Sequence, residues 1–529
     1  VESGVESGIE LATVLQVLLL AGGGLAVAWA ARRRGWPAPL LLVLAGLLAS
    51  PLLPDDLVLD IFVSEPELIL FVFLPPLLYS AALDSSYLRL RDVKKPVALL
   101  SVGLVLFTMT VVALVVHWMV PSLPMAAAFV LGAVIAPPDA VAAVAVGRRL
   151  GLPRRALTIL VGESLFNDAT ALTAFRVALG AISGEAFTLL SATGQFLYSA
   201  VVGAVIGIVL AVVFGWVLER LRDSLVENTV MLLIPFASYL AAEMVHASGV
   251  MSVVIVGLYI GNRMHRMGFG TRLVADGVWK VLDFFLETIV FALIGLLFLQ
   301  VIPKGYSGWQ LTWYALAVFA VTVLARFVWL APFSYFQKNR PPVSHVVVVG
   351  WAGMRGVVSL AAAFIFILQY PQLDLVAFLT FTTVLGTLLV QGLTFPILIR
   401  RLKISSAEEE FQDNLTEAAA KQEAIAAGTV ALEAAIEREG LTDEIAADVV
   451  SQLQAKTERR ALNAWERLGG GTGQDGSETP STLYRRLRLE MLEAERGVFV
   501  RLRDTRRIDD EVLRRVMAEL DFEEAILER

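Results

Sequence analysis

The chain has 529 residues, 57% of them hydrophobic, and a mean hydropathy of +0.70, the composition of a polytopic membrane protein. It contains no cysteine, which excludes disulfides, thiolate catalysis and Cys-ligated metal. The net charge of −7 is uneven: residues 1–402 sum to roughly +3 and residues 403–529 to roughly −10, so a membrane body is followed by a water-exposed acidic tail.

Taken in order, apolar segments fall near 8–31, 38–54, 64–83, 97–120, 123–146, 156–180, 193–217, 228–246, 249–261, 277–301, 309–335, 344–369 and 374–399. Most are about the length a helix needs to cross ~30 Å of hydrocarbon, which predicts an all-α fold with about 13 transmembrane helices. The first run follows "VESGVESGIE", which has no basic n-region and no small-residue cleavage site, so it is expected to be a span and not a signal peptide. Basic clusters at 31–35, 89–95, 147–155, 219–223, 262–272, 337–340 and 399–403 alternate with acidic or nearly uncharged connections at 54–60, 121–124, 183–185, 246–249, 303–308 and 370–374. By the positive-inside rule, the N-terminus is expected outside the cell membrane, with the basic loops and the C-terminus in the cytoplasm.

Span five, "PMAAAFVLGAVIAPPDAVAAVAVG" (124–147), carries Pro137, Pro138 and Asp139 at its centre. Span twelve, "SHVVVVGWAGMRGVVSLAAAFIF" (344–366), carries Gly350, Gly353, Arg355 and Gly356. Proline removes a donor and blocks the preceding turn, and glycine permits non-helical dihedrals, so both spans are expected to break. The two cross the membrane in opposite directions. If spans one to six and eight to thirteen are inverted repeats, the breaks occupy equivalent positions, the sequence mark of a transporter site at the midplane. A plain kink would need neither a carboxylate nor a guanidinium beside it.

Span six follows with "GESLFNDATALTAF" (162–175). Helical spacing stacks Ser164 and Asp168 on one face and Glu163 and Asn167 on the neighbouring one. A hydroxyl beside a carboxylate suits a hard monovalent cation. A charge at mid-membrane costs at least ~2.5–3.5 kcal/mol, so each acid is functional or paired. Candidate partners for Glu163 are Arg326 in span eleven and Arg355 in span twelve; Arg326 is preferred, as a structural strut, which leaves Asp168 and Asp139 nearer the ion path. In span eight, Glu243 and His246 share a helical face at the outer end, where a solvated or hydrogen-bonded histidine is expected ahead of a pH sensor. In span ten, Asp283 reads as interfacial and Glu287 as bonded to a broken-helix end.

After Lys403 the composition turns to Ala, Glu, Gln and Arg with helical periodicity over about 405–467, then a Gly/Ser/Thr linker at 469–482, then more amphipathic helix. The chain therefore divides into a transmembrane domain, 1–402, and a cytoplasmic helical tail, 403–529, suited to dimerisation, solvation or regulation of transport.

At this point the chain resembles the bacterial NhaP-type sodium/proton antiporters of the monovalent cation/proton antiporter family. The resemblance is carried by "APPDAVAAVAV", "GESLFNDATAL", "AEMVHASGVMSVVIVGL" (242–258), "ARF" and "GMRGVVSLAAA", in that order. It implies two crossing broken helices, a dimerisation part beside a mobile core, and elevator-like alternating access. It also implies that Asn167–Asp168 marks an electroneutral branch with Asp168 as the carrier of cation or proton. Ser164 would ligate through its hydroxyl, Pro138 through its carbonyl, Asp139 would contribute nearby, and Glu163 would pair with Arg326. Two positions depart from the pattern: Pro138 stands where a threonine is frequent, and Ser80, in "PPLLYSAALD" (75–84), where many relatives have a glutamate. Asp84, one turn on, reads as a solvated boundary residue. Loss of the acid at Ser80 leaves potassium open beside sodium.

The expected partners are thus Na+ (or K+, Li+), H+, the bilayer and a second copy of the chain. No cofactor or catalytic residue is expected. The four histidines show no metal-ligand spacing, no phosphate-binding glycine loop follows a strand, and the acidic tail argues against nucleic acid. A hydrolase using Ser164 would lack a base, since no Lys or His lies in spans five or six. A cation channel would repeat a selectivity ring by symmetry instead of carrying two unlike broken spans.

Overall fold

The computed structural model describes residues 11–34, 38–52, 66–183, 189–336, 342–404, 407–439, 447–453, 455, 479–505, 507–508 and 510–528; among them the chain is helical, with no strand. It divides into two compact units, Val1–Ser405 and Ser406–Arg529. The expected connections 54–60 and 184–185 and the first ten residues lie outside the described residues.

In the first unit α1 (Leu11–Arg34), α2 (Ala38–Ala49), α3 (Pro66–Leu83) and the short α4 (Tyr87–Asp92) lead to α5, continuous over Lys94–Met119 with a π-helical stretch at Leu99–Leu104. α6 (Met125–Ile135) and α7 (Val141–Arg149) are the halves of one interrupted helix. There follow α8 (Arg154–Ile182), α9 (Leu189–Leu218), α10 (Ser224–Glu243), α11 (Gly249–Arg263), α12 (Phe269–Leu297) and α13 (Gly308–Phe336). α14 (Val343–Trp351) and α15 (Val357–Gln369) form the second interrupted helix, and α16 (Asp374–Arg401) closes the unit.

Five described helices are long and apolar enough to cross a membrane by length and composition alone: Lys94–Met119, Leu190–Leu218, Ser224–Glu243, Gly308–Pro332 and Asp374–Arg401. α8 and α12 are as long but carry charge along their length, and the interrupted helices are short by construction.

α5, α6, α8, α13, α15 and α16 pack on one another around the two interruptions, while α3, α9, α10 and α11 form a second bundle and α1, α2 and α12 a third. α2 and α12 touch at bare backbone. A Cβ added at Gly46 would sit 2.9 Å from the Gly295 Cα, and one at Gly295 2.8 Å from the Leu47 nitrogen, so a side chain at either place would drive the helices apart. α9 exposes Leu190, Val205, Ile208 and Trp216, and α13 exposes Trp309, Leu316 and Leu324, faces suited to hydrocarbon.

The second unit holds α17 (Ala407–Glu439), α18 (Pro480–Asp504) and α19 (Asp510–Glu528). α18 and α19 pack together. Arg488 donates to both Glu523 oxygens at 2.7 and 2.8 Å and to Glu495 at 2.8 Å, and Arg496 pairs with Asp521 at 2.5 Å and with Glu524. The bonds to Glu523, then Glu495, hold the Arg488 guanidinium above its usual pKa. The expected linker over 469–482 ends earlier than its composition suggests. Pro480 opens α18, where proline's fixed φ is already helical, and Thr479 Oγ1 accepts the Thr482 N–H at 3.4 Å; residues 469–478 lie outside the described ones.

Candidate functional site

The two unwound stretches, 136–140 and 352–356, meet: the Asp139 N–H donates to the Met354 carbonyl at 2.7 Å. Gly356 makes the approach possible, because a Cβ there would land on the Asp139 carboxyl group. A half-helix ending inside the protein leaves its last carbonyls short of partners. The Ile135 carbonyl of α6 accepts from Arg355 Nε at 2.6 Å, and the Val349 carbonyl of α14 accepts from Arg326 Nε at 3.0 Å. Each C-terminal end thus meets a guanidinium, the charge its dipole favours. Arg355 also donates through Nη1 to the Gly353 carbonyl at 2.6 Å and through its N–H to Thr387 Oγ1 at 3.1 Å.

Both arginines are essentially fully buried, but their duties differ. Arg326 sets its terminal nitrogens on the two Glu163 oxygens at 2.5 and 2.7 Å, with each side chain 2% exposed. Of the two candidate partners for Glu163, the fold selects Arg326, and Arg355 serves backbone carbonyls.

α8 presents its other polar side chains to the first interruption. Asn167 Nδ2 donates to the Pro138 carbonyl at 2.6 Å, and Ser164 Oγ accepts the Ala140 N–H at 3.3 Å. The helix thereby replaces bonds that unwinding removed. The expected ligand groups of Ser164 and Pro138 are each engaged once and keep a further lone pair. Asn167 Oδ1 is buried without a hydrogen-bond partner among the described residues. Asp168, 8% exposed, makes no hydrogen bond or ion pair with a described residue, and Asp139 lies within its electrostatic reach. The arrangement offers an anionic oxygen amid neutral oxygens, with the neighbouring acid already neutralised.

Ser80 does not reach this centre by a hydrogen bond; its hydroxyl donates to Asp283 Oδ2 on α12 at 2.5 Å. Asp283 is half-buried against α3, a neighbour that helical spacing alone could not name. Glu287 makes no hydrogen bond to a helix end among the described residues. Glu243 and His246 do not share a helical face: α10 ends at Glu243, and His246 sits in a turn with φ +56°. Glu243 accepts from Arg176 at 2.7 Å and from the Gly249 N–H at 3.3 Å. The carbonyls of Ile135, Val349 and Met354 were beyond sequence reading, since any residue supplies a carbonyl. Thr387 left a fainter signal: with Thr380 and Thr383 it forms a fully buried hydroxyl stripe on α16.

The fold is similar to that of the sodium proton antiporter MjNhaP1 from Methanocaldococcus jannaschii at pH 8, with a TM-score of 0.62 and 21% identity over 74% of this chain and 98% of that one. The chain is 29% identical to an uncharacterized Na+/H+ exchanger of Escherichia coli (strain K12), over 93% of this chain and 94% of the relative. It is 31% identical to a sodium, potassium, lithium and rubidium/H+ antiporter of Bacillus subtilis (strain 168), over 68% of this chain and 58% of the relative. Residues 18–401 match the family described as sodium/hydrogen exchanger, transmembrane. With nearly three quarters of its length inside that match, the chain belongs to the sodium/hydrogen exchanger family.

Proposed function

We propose that this antiporter carries out its exchange of a monovalent cation for a proton on Asp168, one for one and therefore electroneutrally. The observation that carries the reading is the contrast between two acids five residues apart on α8: Glu163 has a guanidinium on both oxygens, whereas Asp168 is paired with no base among the described residues. A carboxylate exchanges ions only if proton and cation compete for it, and Asp168 is the acid beside the interruptions that is left to do so. Ser164, the Pro138 carbonyl, Asn167 and Asp139 surround the cation, and Glu163–Arg326 braces α8 against α13 and the end of α14. No enzymatic chemistry is involved.

The family membership supports a multi-pass protein of the plasma membrane. We read it as thirteen spans in inverted repeats, N-terminus outside, tail cytoplasmic, working by alternating access as a homodimer; the alternating charge of the connections supports the orientation. Sodium is the first candidate cation. Potassium is the second reading, favoured by the hydroxyl at Ser80 and by the name of the Bacillus subtilis relative.

The test is dissipation of a pH gradient in proteoliposomes on adding Na+, K+ or Li+, with the voltage clamped by an ionophore. Cation-dependent dissipation that ignores voltage and disappears in Asp168→Asn is expected. Cation current without proton counterflow would make the protein a channel.

A further inference from the structure

α12 carries charge that the exchange site leaves unexplained. Asp276, Lys280, Asp283 and Glu287 recur at helical spacing, all within about 40° of one line and over roughly 16 Å of the helix. In a membrane helix such a stripe must face water, a partner or an ion. At its exposed end Lys280 pairs with Asp276 at 2.7 Å. Further in, no base among the described residues is paired with the acids. Asp283 Oδ2 accepts the Ser80 hydroxyl, Asp283 Oδ1 is buried with no hydrogen-bond partner among the described residues, and Glu287 makes no hydrogen bond or ion pair with any of them. Glu163, the acid with a structural duty, is instead clamped by a guanidinium on both oxygens.

The stripe continues at both ends. Asp84, exposed and one turn beyond Ser80, lies within electrostatic reach of Asp283, Asp276, Lys280 and, from α7, Arg148. Glu287 lies within reach of Asp283, Arg32 and Asp139, and Asp139 within reach of Asp168. Exposure declines in the same order: Asp84 is exposed, Asp283, Glu287 and Asp139 are half-buried, and Asp168 is 8% exposed. These acids connect the end of the molecule that bears the basic connections with the exchange carboxylate.

We propose that Asp283, oriented by Ser80, is a loading position that sets the affinity and choice of monovalent cation on the route between that end and Asp168. The hydrogen bond from Ser80 occupies Oδ2 and fixes the carboxylate, which leaves the buried Oδ1 and the remaining lone pairs of the Ser80 oxygen as the acceptors a cation would take. A carboxylate without a base concentrates cations from water. With only two such oxygens it holds them weakly enough to hand them on, as conduction through successive sites requires. The inference rests on the antiporter reading above.

The experiment uses the full chain in proteoliposomes of determined orientation, with Na+, K+ and Li+ titrated separately at the two faces. Wild type and Asp168→Asn set the baseline. Asp283→Asn is expected to raise KM at the basic-connection face about fivefold or more, a larger effect than on the maximal rate, and Ser80→Ala about threefold. The order of preference among the three cations is expected to change in both. Asp283→Glu is expected to recover most of the affinity, and KM at the opposite face to move less than about twofold. A merely structural role would lower the maximal rate and the yield of monodisperse protein together and leave KM and cation order alone, overturning the proposal. So would an equal rise in KM at both faces, which would assign Asp283 to the central site. If wild type transports and both variants keep its KM, this inference alone fails; if wild type dissipates no gradient with any cation, the antiporter reading fails and takes this one with it.

Discussion

Replacing Glu163 by glutamine leaves the Arg326 charge buried where no water reaches it, since both side chains are 2% exposed. Both terminal guanidinium bonds, at 2.5 and 2.7 Å, lose their anionic acceptor, while the Nε bond to the Val349 carbonyl persists. Stranding one member of a buried pair costs about 3–5 kcal/mol, so Glu163→Gln and Arg326→Met are each expected to destabilise the protein by that order. The double variant Glu163→Leu/Arg326→Met removes both charges together. It should recover most of the loss and remain about 1 kcal/mol below wild type, because the Val349 carbonyl loses its donor. The assay is thermal and denaturant unfolding of the detergent-purified chain across the cycle, with Glu163→Leu as the matching single variant. A coupling of about 2 kcal/mol or more is expected; strictly additive losses would refute the strut and force another account of how a buried arginine is tolerated.

Competition between proton and cation at Asp168 implies that the apparent KM for the cation rises as pH falls. Transport measured at several cation concentrations should show it, and a profile flat between about pH 6 and 9 would contradict it. Gly356→Ala would put a methyl group on the Asp139 carboxyl and push the two interruptions apart. A fall in transport of about tenfold or more is expected in a protein that still purifies as a single species; near wild-type rates would mean that Asp139 is free to move without consequence. In the tail, Arg488→Ala removes the bonds from α18 to Glu523 on α19 and to Glu495 within α18. The group is partly solvated, so the loss is about 1 kcal/mol or less, visible as faster proteolysis between α18 and α19 and smaller at high salt; an unchanged rate would show that apolar packing alone holds the two helices.

Much of this protein was legible because a membrane makes polar residues conspicuous. Charge within an apolar run is costly, so Glu163, Asp168, Arg326 and Arg355 stand out in the sequence without any structure, and Pro137–Pro138 and Gly353–Gly356 mark where helix cannot continue. What remained open was the choice among partners. Glu163 had two candidate arginines, and their separation along the chain does not rank them; the rotation of α13 and the crossing of the interruptions assign Arg326 to the acid and Arg355 to the Ile135 carbonyl. The same limit explains Asp283, whose spacing with Glu287 identifies a face of α12 but not the Ser80 hydroxyl that the face meets. It explains Met354 and Val349 too, whose contribution is a backbone carbonyl that every residue possesses. Residue type and periodicity are written in the order of the chain, and from them the sequence by itself determined that helices span, where two of them break and which acids need an answer. Which group answers each acid depends on how helices rotate and cross, a property of all their packed faces together, and only the tertiary structure decided it.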